Sequence, residues 1–311
     1  MNKLFYAILP IFLGGATLNA HSVFISQVVD HPALNSTVEG LRAGLNSQGF
    51  EENKNLEIKI ESAQANAAMA GQIAGKFANQ NPDVVVGVGT LSAQSFLKYA
   101  LKGQVKLVFS SITDPKSAGL TDSPHIQGVS NFIALEPQLQ LFQKIQPNLK
   151  TLGILYNPGE LNSIEIVKKL KELCPKFGIA LFKQTITKTS EVPQAAQKLA
   201  PQVDAIFISN DNTALSALQS IVKVGKPVYV SDTDAVALGA VAAFGPNQYE
   251  VGVQTGVMIA RLLNGEMTSP SIEYPSKSDL YINLEAANKL GLEIPDEVLK
   301  NATKILEEAA L

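Results

Sequence analysis

Each of six apolar runs in this sequence is followed by residues that carry hydroxyl, amide or carboxylate groups. Three of these runs lie in the first half of the chain and three in the second half. In sheets of parallel strands, ligands bind beyond the carboxyl ends of the strands. We therefore expect the residues after these runs to line a binding site. The candidates are Asp30, His31, Thr90, Ser92, Ser111, Thr113, Asp114, Asn157, Glu160, Asn162, Asp211, Asn212 and Asp232.

The candidates in the first half supply donors that suit an anion. Thr90 and Ser92 stand at the predicted start of a helix, where free backbone N–H groups and the helix dipole favour a carboxylate. Ser111 and Thr113 add hydroxyl donors at the end of the next strand. These four side chains would hold a carboxylate through hydrogen bonds, without a cationic side chain.

The candidates in the second half supply acids. Either Asp211 or Asp232 is available to pair with an ammonium group. Together with the donors of the first half, this pattern predicts a small zwitterionic ligand. One alternative stays open here, because Thr90, Ser163 and Asn212 also belong to residue types that favour helix N-termini for capping alone.

Patterns for catalysis, cofactors or metals are weak or missing in the sequence. Gly87 and Gly89 lack the third glycine of a dinucleotide-binding fingerprint, because Ala93 occupies its position. There is no phosphate-binding P-loop and no GxSxG nucleophile elbow. The three histidines lack the spacing of metal ligands. We therefore predict a protein that is not an enzyme and that uses no cofactor or metal.

Composition and the N-terminal residues predict an exported globular protein. The 311 residues are 46% hydrophobic, and a net charge of −3 without a basic cluster argues against a nucleic-acid partner. Residues 1–20 carry one lysine, then an apolar stretch and small residues, as in a secretory signal peptide. The single cysteine, Cys174, lies far from that leader, so no lipid-attachment site is evident. These features predict a periplasmic protein that is not a lipoprotein.

Strands and helices are predicted to alternate, which favours βαβ units and parallel sheets. The first helix is predicted to have Ser36 as its N-cap, in a capping box with Glu39. Three later helices are predicted at 191–199 (capped by Ser190), 213–224 and 296–306. Strands are predicted at 23–29, 56–60, 83–89, 107–112, 126–130, 152–156, 180–186, 205–209, 228–231 and 240–244.

The two halves repeat the same landmarks in the same order. Leu-Asn-Ser at 34–36 recurs at 161–163, and Leu-Ser-Ala at 91–93 recurs at 215–217, offsets of 127 and 124 residues. The repeat predicts two similar α/β lobes with parallel sheets. We assign 21–134 with 247–275 to the N-terminal lobe and 135–246 with 276–311 to the C-terminal lobe. The chain is expected to cross between them near 132–136, 245–249 and 274–280.

Several segments at these strand ends resemble the substrate-binding proteins of ABC importers, in the group of the tryptophan/tyrosine type. The resemblance runs in order along the chain and includes TDP at 113–115, YNPGE-x-NS at 156–163 and DNT at 211–213. It implies the class I periplasmic-binding fold, in which two Rossmann-like lobes joined by a multi-strand hinge clamp a ligand. It also implies an aromatic or other hydrophobic amino acid as ligand, such as tryptophan, tyrosine or phenylalanine. The implied partner is an ABC permease in the inner membrane, and we expect a monomer.

The resemblance also implies a role for individual residues. The ligand carboxylate would be held by Thr90, Ser92, Ser111 and Thr113, and the ammonium by Asp232. The second lobe would be lined by Asn157, Glu160, Asn162, Asp211 and Asn212. Because the chain contains no tryptophan, any ring that stacks on the ligand must come from Phe or Tyr, and the candidates are Phe109, Phe132, Tyr156 and Phe244.

Three other interpretations are open at this point. A secreted α/β enzyme, such as a hydrolase or a sugar-nucleotide transferase, would share the sheet architecture but needs catalytic residues that the sequence does not show. A transcriptional regulator with the same core needs a DNA-binding segment. A sensor that presents its ligand to a receptor would have the same sequence pattern as a transport component. The mechanism that we expect is closure about the hinge without covalent chemistry.

Overall fold

The computed structural model describes residues 20–121, 123–132, 134–266, 271–275 and 278–307. Apart from Ala20, the predicted signal peptide lies outside these residues. Among the helices so described, none combines the length and the apolar composition that crossing a bilayer requires.

Strands and helices alternate along the chain, as predicted. The elements up to the first change of sheet are β1 (His21–Gln27), α1 (Pro32–Ser47), β2 (Leu56–Ser62), α2 (Ala67–Ala78), β3 (Val84–Val88), α3 (Thr90–Ala100), β4 (Leu107–Ile112) and β5 (Ile126–Ser130). The next are α4 (Leu135–Ile145), β6 (Thr151–Tyr156), α5 (Leu161–Leu173), β7 (Ala180–Thr185), α6 (Val192–Leu199), β8 (Ala205–Ile208), α7 (Asn212–Leu215), α8 (Leu218–Val222), β9 (Val228–Val230) and β10 (Ala242–Gly245). The last are α9 (Gln248–Leu263), β11 (Ile272–Glu273), β12 (Asp279–Asn283), α10 (Leu284–Lys289), α11 (Asp296–Lys300) and β13 (Lys304–Leu306). A 3-10 helix, Thr233–Leu238, lies between β9 and β10 and is called the 233–238 turn below.

The strands form two sheets of similar topology. The first has the order β11-β5-β4-β3-β1-β2 and the second the order β13-β12-β10-β9-β8-β6-β7. The pairings described in the first sheet are parallel, and in the second only β10 with β12 is antiparallel. Strands β2-β1-β3-β4-β5 therefore correspond to β7-β6-β8-β9-β10. The repeat seen in the sequence is a repeat of topology.

Successive strand residues point to opposite faces of each sheet, and helices cover both faces. In β1, Val23 and Ile25 pack in the cluster that contains α1 and α9, whereas Phe24 packs in the cluster that contains α2 and α3. In β8, Phe207 and Ile206 divide in the same way between two clusters of the second sheet. Burial on both faces explains why these strands are continuous apolar runs in the sequence.

Helix α9 follows β10 of the second sheet but packs on the first sheet, against α1. A Cβ atom on Gly40 would lie 2.0 Å from the carbonyl oxygen of Tyr249, and one on Gly252 would lie 2.0 Å from that of Thr37. Only glycine permits this separation of the two backbones. The close packing places Gln248, the first residue of α9, beside the first turns of α1.

The prediction that Ser36 caps the first helix is wrong. Helix α1 begins at Pro32, with His31 at the N-cap in an extended conformation (φ −153°, ψ 159°). Proline suits the first helical position because its φ is already helical and its missing N–H would have no partner there. The earlier start places the His31 side chain at the end of β1, where it can contact a ligand.

Three further helix predictions are wrong. Ser190 lies in a 3-10 turn (Thr189–Glu191) and does not cap α6, which begins at Val192. The helix predicted at 213–224 is two short helices, because Ala217 (φ −123°) leaves the helical conformation. The helix predicted at 296–306 ends at Lys300, and 304–306 form β13 because they pair with β12 at the edge of the second sheet.

Candidate ligand-binding site

The carboxyl ends of the two sheets face each other across a closed cleft. Strands β1, β3 and β4 lead into it from one side, and β6, β8 and β9 from the other. Its cavity has a volume of about 20 Å³, which is roughly the room that one ordered water needs. The lining residues are His31, Leu34, Gly89, Thr90, Ser111, Thr113, Asn131, Asn162, Asn210, Asn212, Leu215, Asp232 and Gln248.

Seven of the predicted site residues line this cavity. They are His31, Thr90, Ser111, Thr113, Asn162, Asn212 and Asp232. The sequence-based list missed Leu34, Gly89, Asn131, Asn210, Leu215 and Gln248. Gly89 and Asn210 are adjacent to predicted residues at strand ends, so the same rule could have found them. Asn131 and Gln248 lie where the chain changes sheets, and no strand-end pattern marks them.

Three predicted residues of the first lobe do not line the cavity. Ser92 is fully buried, and its Oγ accepts a hydrogen bond from Ser26 Oγ (3.1 Å) within the lobe. Asp30 is exposed and accepts one from Asn35 Nδ2 (2.7 Å). Asp114 accepts bonds from the backbone N–H and the hydroxyl of Ser117 (3.1 and 3.0 Å). All three interact with their own lobe.

On the first-lobe side, backbone geometry directs the donors into the cavity. Gly89 has φ +87° and turns the chain from β3 directly into α3, so that Thr90 begins that helix. Ser111 has φ +58° at an irregularity in the pairing of β4 with β5. Such a bulge redirects a side chain, and a left-handed conformation is unfavourable for serine. The Ser111 hydroxyl therefore faces the cleft at a cost in backbone energy.

Gln248 joins the two sides through its side-chain amide. Its Oε1 accepts hydrogen bonds from Ser111 Oγ (3.0 Å) and Thr37 Oγ1 (3.4 Å). Its Nε2 donates to Asp232 Oδ1 (2.9 Å) and to Asn131 Oδ1 (3.2 Å). Hydroxyl donors contact Oε1 and oxygen acceptors contact Nε2, so the orientation of the amide is defined. Gln248 is therefore a fixed bridge between the hydroxyl groups of the first lobe and the acid of the second.

Asp232 is the one carboxylate among the cavity-lining residues that the structure describes. It is 3% exposed, and among the described residues its carboxylate accepts one hydrogen bond, from Gln248. Burial, reinforced by the charge of Asp234, raises the pKa of Asp232 to about 7. A buried carboxylate with few donors is stabilised strongly by a cation.

Glu160 and Asp211 lie behind the wall of the cleft and have many donors. Glu160 accepts bonds from the backbone N–H groups of Asn212 and Thr213 and from both of their side chains (2.6–3.0 Å). Asp211 caps α7 and accepts bonds from Ala214 N, Asn157 N and Ser163 Oγ (2.6–2.8 Å). Burial, followed by the charge of Glu160, raises the pKa of Asp211 to about 7. These two acids, together with Asn157, position the loop before α7.

Besides the bond from Gln248 to Asp232, two hydrogen bonds join the lobes directly across the cleft. His31 Nε2 lies 3.2 Å from Asn212 Oδ1, and Asn210 Nδ2 donates to Thr113 Oγ1 (3.2 Å). Since Glu160 holds Asn212 Nδ2, Asn212 presents its oxygen to the histidine. Burial lowers the pKa of His31, so the ring is neutral near pH 7.

None of the four aromatic residues proposed for stacking lines the cavity. Phe109 is fully buried in the core of the first lobe, and Tyr156 and Phe244 pack against a core cluster of the second. Phe132 is 48% exposed, and Lys169 Nζ lies 5.5 Å from its ring centre. The apolar side chains of the lining are Leu34 and Leu215 instead.

Comparisons with known proteins agree with this architecture. A tyrosine-binding protein of Clostridioides difficile (strain R20291) is 28% identical over 254 residues, or 79% of this chain and 73% of the relative. An ABC domain from Streptococcus pneumonia in complex with L-Trp is 28% identical, with a TM-score of 0.85 over 93% of this chain and 100% of that chain. The ligand-free, open structure of a substrate-binding protein with adhesive properties from Clostridium difficile has the same identity and coverage but a TM-score of 0.67. The lobes of this protein are thus arranged more like those of the ligand-bound relative.

Two α/β lobes whose parallel strands end at a shared cleft define the class I periplasmic-binding fold, and solved structures of that class match this chain. The family model described as ABC transporter substrate binding protein matches residues 22–306. The chain belongs to this family of ABC transporter substrate-binding proteins. The relatives named above are a tyrosine-binding protein and a complex with L-Trp, which favours the binding interpretation over the catalytic one.

Proposed function

We propose that this protein is the binding component of an ABC importer and that its ligand is an amino acid with an aromatic or other hydrophobic side chain. One observation carries the proposal: the cavity combines uncharged donors from one lobe with a single buried carboxylate from the other. An α-amino acid carries the matching pair of charged groups on a single carbon atom. The relatives that bind tyrosine and L-Trp support this class of ligand.

The carboxylate of the ligand would bind on the first-lobe side. Thr90 and the N-terminus of α3 offer a hydroxyl and free backbone N–H groups, and the helix dipole favours a negative charge there. The hydroxyl groups of Ser111 and Thr113 lie at the end of the neighbouring strand. Ser92 has no part in this proposal because it bonds within the lobe.

The ammonium of the ligand would bind to Asp232. Ionised Asp232 lacks a cationic partner among the described residues of the cleft, so an ammonium would stabilise its charge. Asn210 Oδ1 is buried and accepts no hydrogen bond from the described residues, and it offers a second acceptor for an N–H group. Buried acceptors of this kind usually have a partner, which a ligand would supply.

Lobe closure would be the mechanism of capture. A cavity of about 20 Å³ cannot admit an amino acid, so the ligand must enter while the lobes are apart. The ligand then stabilises the closed arrangement through contacts to both lobes. We propose the lobe ranges 21–134 with 247–275 and 135–246 with 276–311, because α9 and β11 belong to the first sheet's layer and β12 to the second. An inner-membrane ABC permease would recognise the closed monomer in the periplasm.

Titration calorimetry of the folded protein with the common L-amino acids would test the proposal. We expect binding of at least one aromatic or hydrophobic amino acid. Its N-acetyl derivative, which lacks the ammonium, and its methyl ester, which lacks the carboxylate, should both bind far more weakly. Failure of every amino acid to bind would overturn the ligand class. Equal binding of the blocked derivatives would overturn the assignment of the two charged ends.

A further inference from the structure

We propose that the side chain of the ligand enters a second, aliphatic cavity and that Ala33 and Ala235 determine which side chains fit. This inference rests on the proposed amino-acid ligand. The second cavity, called the aliphatic slot below, has a volume of about 10 Å³ in this closed arrangement, so a ligand side chain would enter it only with its two walls farther apart than they are here. Its lining residues are His31, Pro32, Ala33, Leu215, Asp232, Ala235 and Leu238.

The aliphatic slot is adjacent to the polar cavity. His31, Leu215 and Asp232 line both spaces, so they stand at the boundary between them. In an α-amino acid, the side chain and the ammonium are attached to the same carbon. An ammonium paired with Asp232 would therefore place the start of the side chain at the mouth of the slot.

The rest of the polar cavity is chemically unsuited to an apolar side chain. Apart from Leu34 and Leu215, its lining presents hydroxyl, amide, imidazole, carboxylate or glycine backbone groups. An apolar side chain against those groups would leave their hydrogen bonds unmade, which costs free energy. In the slot it would contact Pro32, Ala33, Ala235 and the two leucines, and burying apolar area is favourable there.

The walls of the slot come from different lobes. Pro32 and Ala33 belong to the first turn of α1, and Ala235 and Leu238 belong to the 233–238 turn of the second lobe. Opening of the cleft would separate these walls, and closure on a ligand would bring them onto its side chain. A side chain that fills the slot thus contributes apolar contact only in the closed state, which is the condition for stabilising closure.

Alanine at one position in each wall of the slot indicates selection by size. Ala33 and Ala235 are 4% and 5% exposed, so a larger side chain at either position would occupy the slot itself. The described lining of the slot includes no Phe, Tyr or Trp, and its one aromatic ring is the imidazole of His31. A difference of one methylene in an apolar pocket changes affinity by about 10- to 200-fold.

Exchange of Ala235 for leucine would test this inference. The affinities of wild type and Ala235→Leu are measured for L-leucine, L-phenylalanine, L-tyrosine and L-tryptophan, with L-alanine as the small ligand. Tryptophan binding is read from the fluorescence of the ligand alone, because the chain contains no tryptophan. We expect Ala235→Leu to reduce the preference for the bulkiest bound amino acid over L-alanine by at least about tenfold. Ala237→Leu is the matched control, because Ala237 is exposed on the same turn and should leave the preference unchanged.

A second variant covers the case in which Ala235→Leu does not fold. Leu238→Ala removes a half-buried wall of the slot and should shift the preference toward bulkier amino acids by about tenfold. If the wild type binds amino acids but both slot variants keep its preference, the side chain lies elsewhere and this inference is overturned. If the folded wild type binds no amino acid, the proposed function itself fails.

Discussion

The two sides of the cleft present different chemistry. The first lobe presents hydroxyl groups and the N-terminus of a helix, at Thr90, Ser111 and Thr113. The second lobe contains three buried acids at the corresponding strand ends, Glu160, Asp211 and Asp232. The two lobes share a topology, so this difference arises from side chains and not from the fold. It gives the cleft a direction, with an end for an anion and an end for a cation.

The three acids of the second lobe also differ in how many hydrogen bonds they accept. Glu160 and Asp211 each accept several hydrogen bonds from their own lobe, whereas the carboxylate of Asp232 accepts one among the described residues, from Gln248. Acids with many internal donors stabilise a loop, and an acid with few is available to a ligand. The number of donors thus separates supporting residues from binding residues where burial does not.

Asp232→Asn would remove the cationic end of the cleft and should have the largest effect. Loss of a buried ion pair costs about 3–5 kcal/mol, so amino-acid affinity should fall by about 100-fold or more. Because the pKa of Asp232 is raised to about 7 in the folded protein, ionisation of Asp232 destabilises the fold progressively as pH rises from about 4 to about 7. The asparagine variant should therefore melt at a higher temperature than wild type at pH 7.5.

Calorimetry and thermal melting on the same samples check both parts of this expectation. Asp114→Asn is the matched control, since Asp114 does not line the cavity, and its affinity should equal that of wild type. An Asp232→Asn variant that binds normally would show that the ammonium lies elsewhere.

Glu160→Gln would test whether the acids that accept many hydrogen bonds support the loop before α7. The glutamine cannot accept all the bonds that Glu160 accepts from Asn212 and Thr213, and a buried N–H without a partner is costly. We expect the free energy of unfolding to fall by about 3 kcal/mol, as measured by urea denaturation. Glu172→Gln, on the exposed part of α5, should change it little. If Glu160→Gln kept full stability and only lost affinity, Glu160 would have to be reassigned as a ligand contact.

The pH dependence of binding would distinguish a contact to Asp232, which titrates, from contacts to the hydroxyl groups of the first lobe, which do not. An ammonium stabilises ionised Asp232, so below pH about 7 the ligand must displace a proton, and affinity should fall by up to about tenfold per pH unit. The pKa of His31 is lowered by burial, which favours its neutral ring. Asp211 also titrates near 7, but it faces its own loop and should affect stability more than binding. Calorimetry between pH 8 and 6 in buffers of different ionisation enthalpy measures the proton release, and a flat profile would contradict the ion pair.

Exchange of Ser111 should have the smallest effect and concerns the first lobe. Ser111→Ala and Ser111→Gly both remove the hydroxyl, so both should weaken binding to a similar extent, about tenfold. Only glycine relieves the positive φ, so Ser111→Gly should be more stable than Ser111→Ala by about 1 kcal/mol. Urea denaturation and calorimetry of the two variants check this. Equal stabilities would show that the left-handed conformation carries no cost here.

The strand-end rule identified cavity-lining residues where a polar side chain directly follows a buried strand. It found Thr90, Asn212 and Asp232 because the carboxyl ends of parallel strands meet at one edge of each sheet. It failed to separate Thr90 from Ser92, because two residues of one helical turn can point to the cleft or to the lobe interior. It missed Gln248 because that residue's place beside Ser111 depends on the packing of α9 against α1.

The sequence by itself determined the alternation of strands and helices, the duplication of the lobes and most of the strand ends, because hydrophobic periodicity and turn residues act over short distances along the chain. Only the tertiary structure decided which polar groups remain available, because that depends on hydrogen bonds between residues far apart in sequence, such as Glu160 with Asn212 and Gln248 with Asp232. The same reason applies to the aliphatic slot, whose two walls are joined only when the lobes meet.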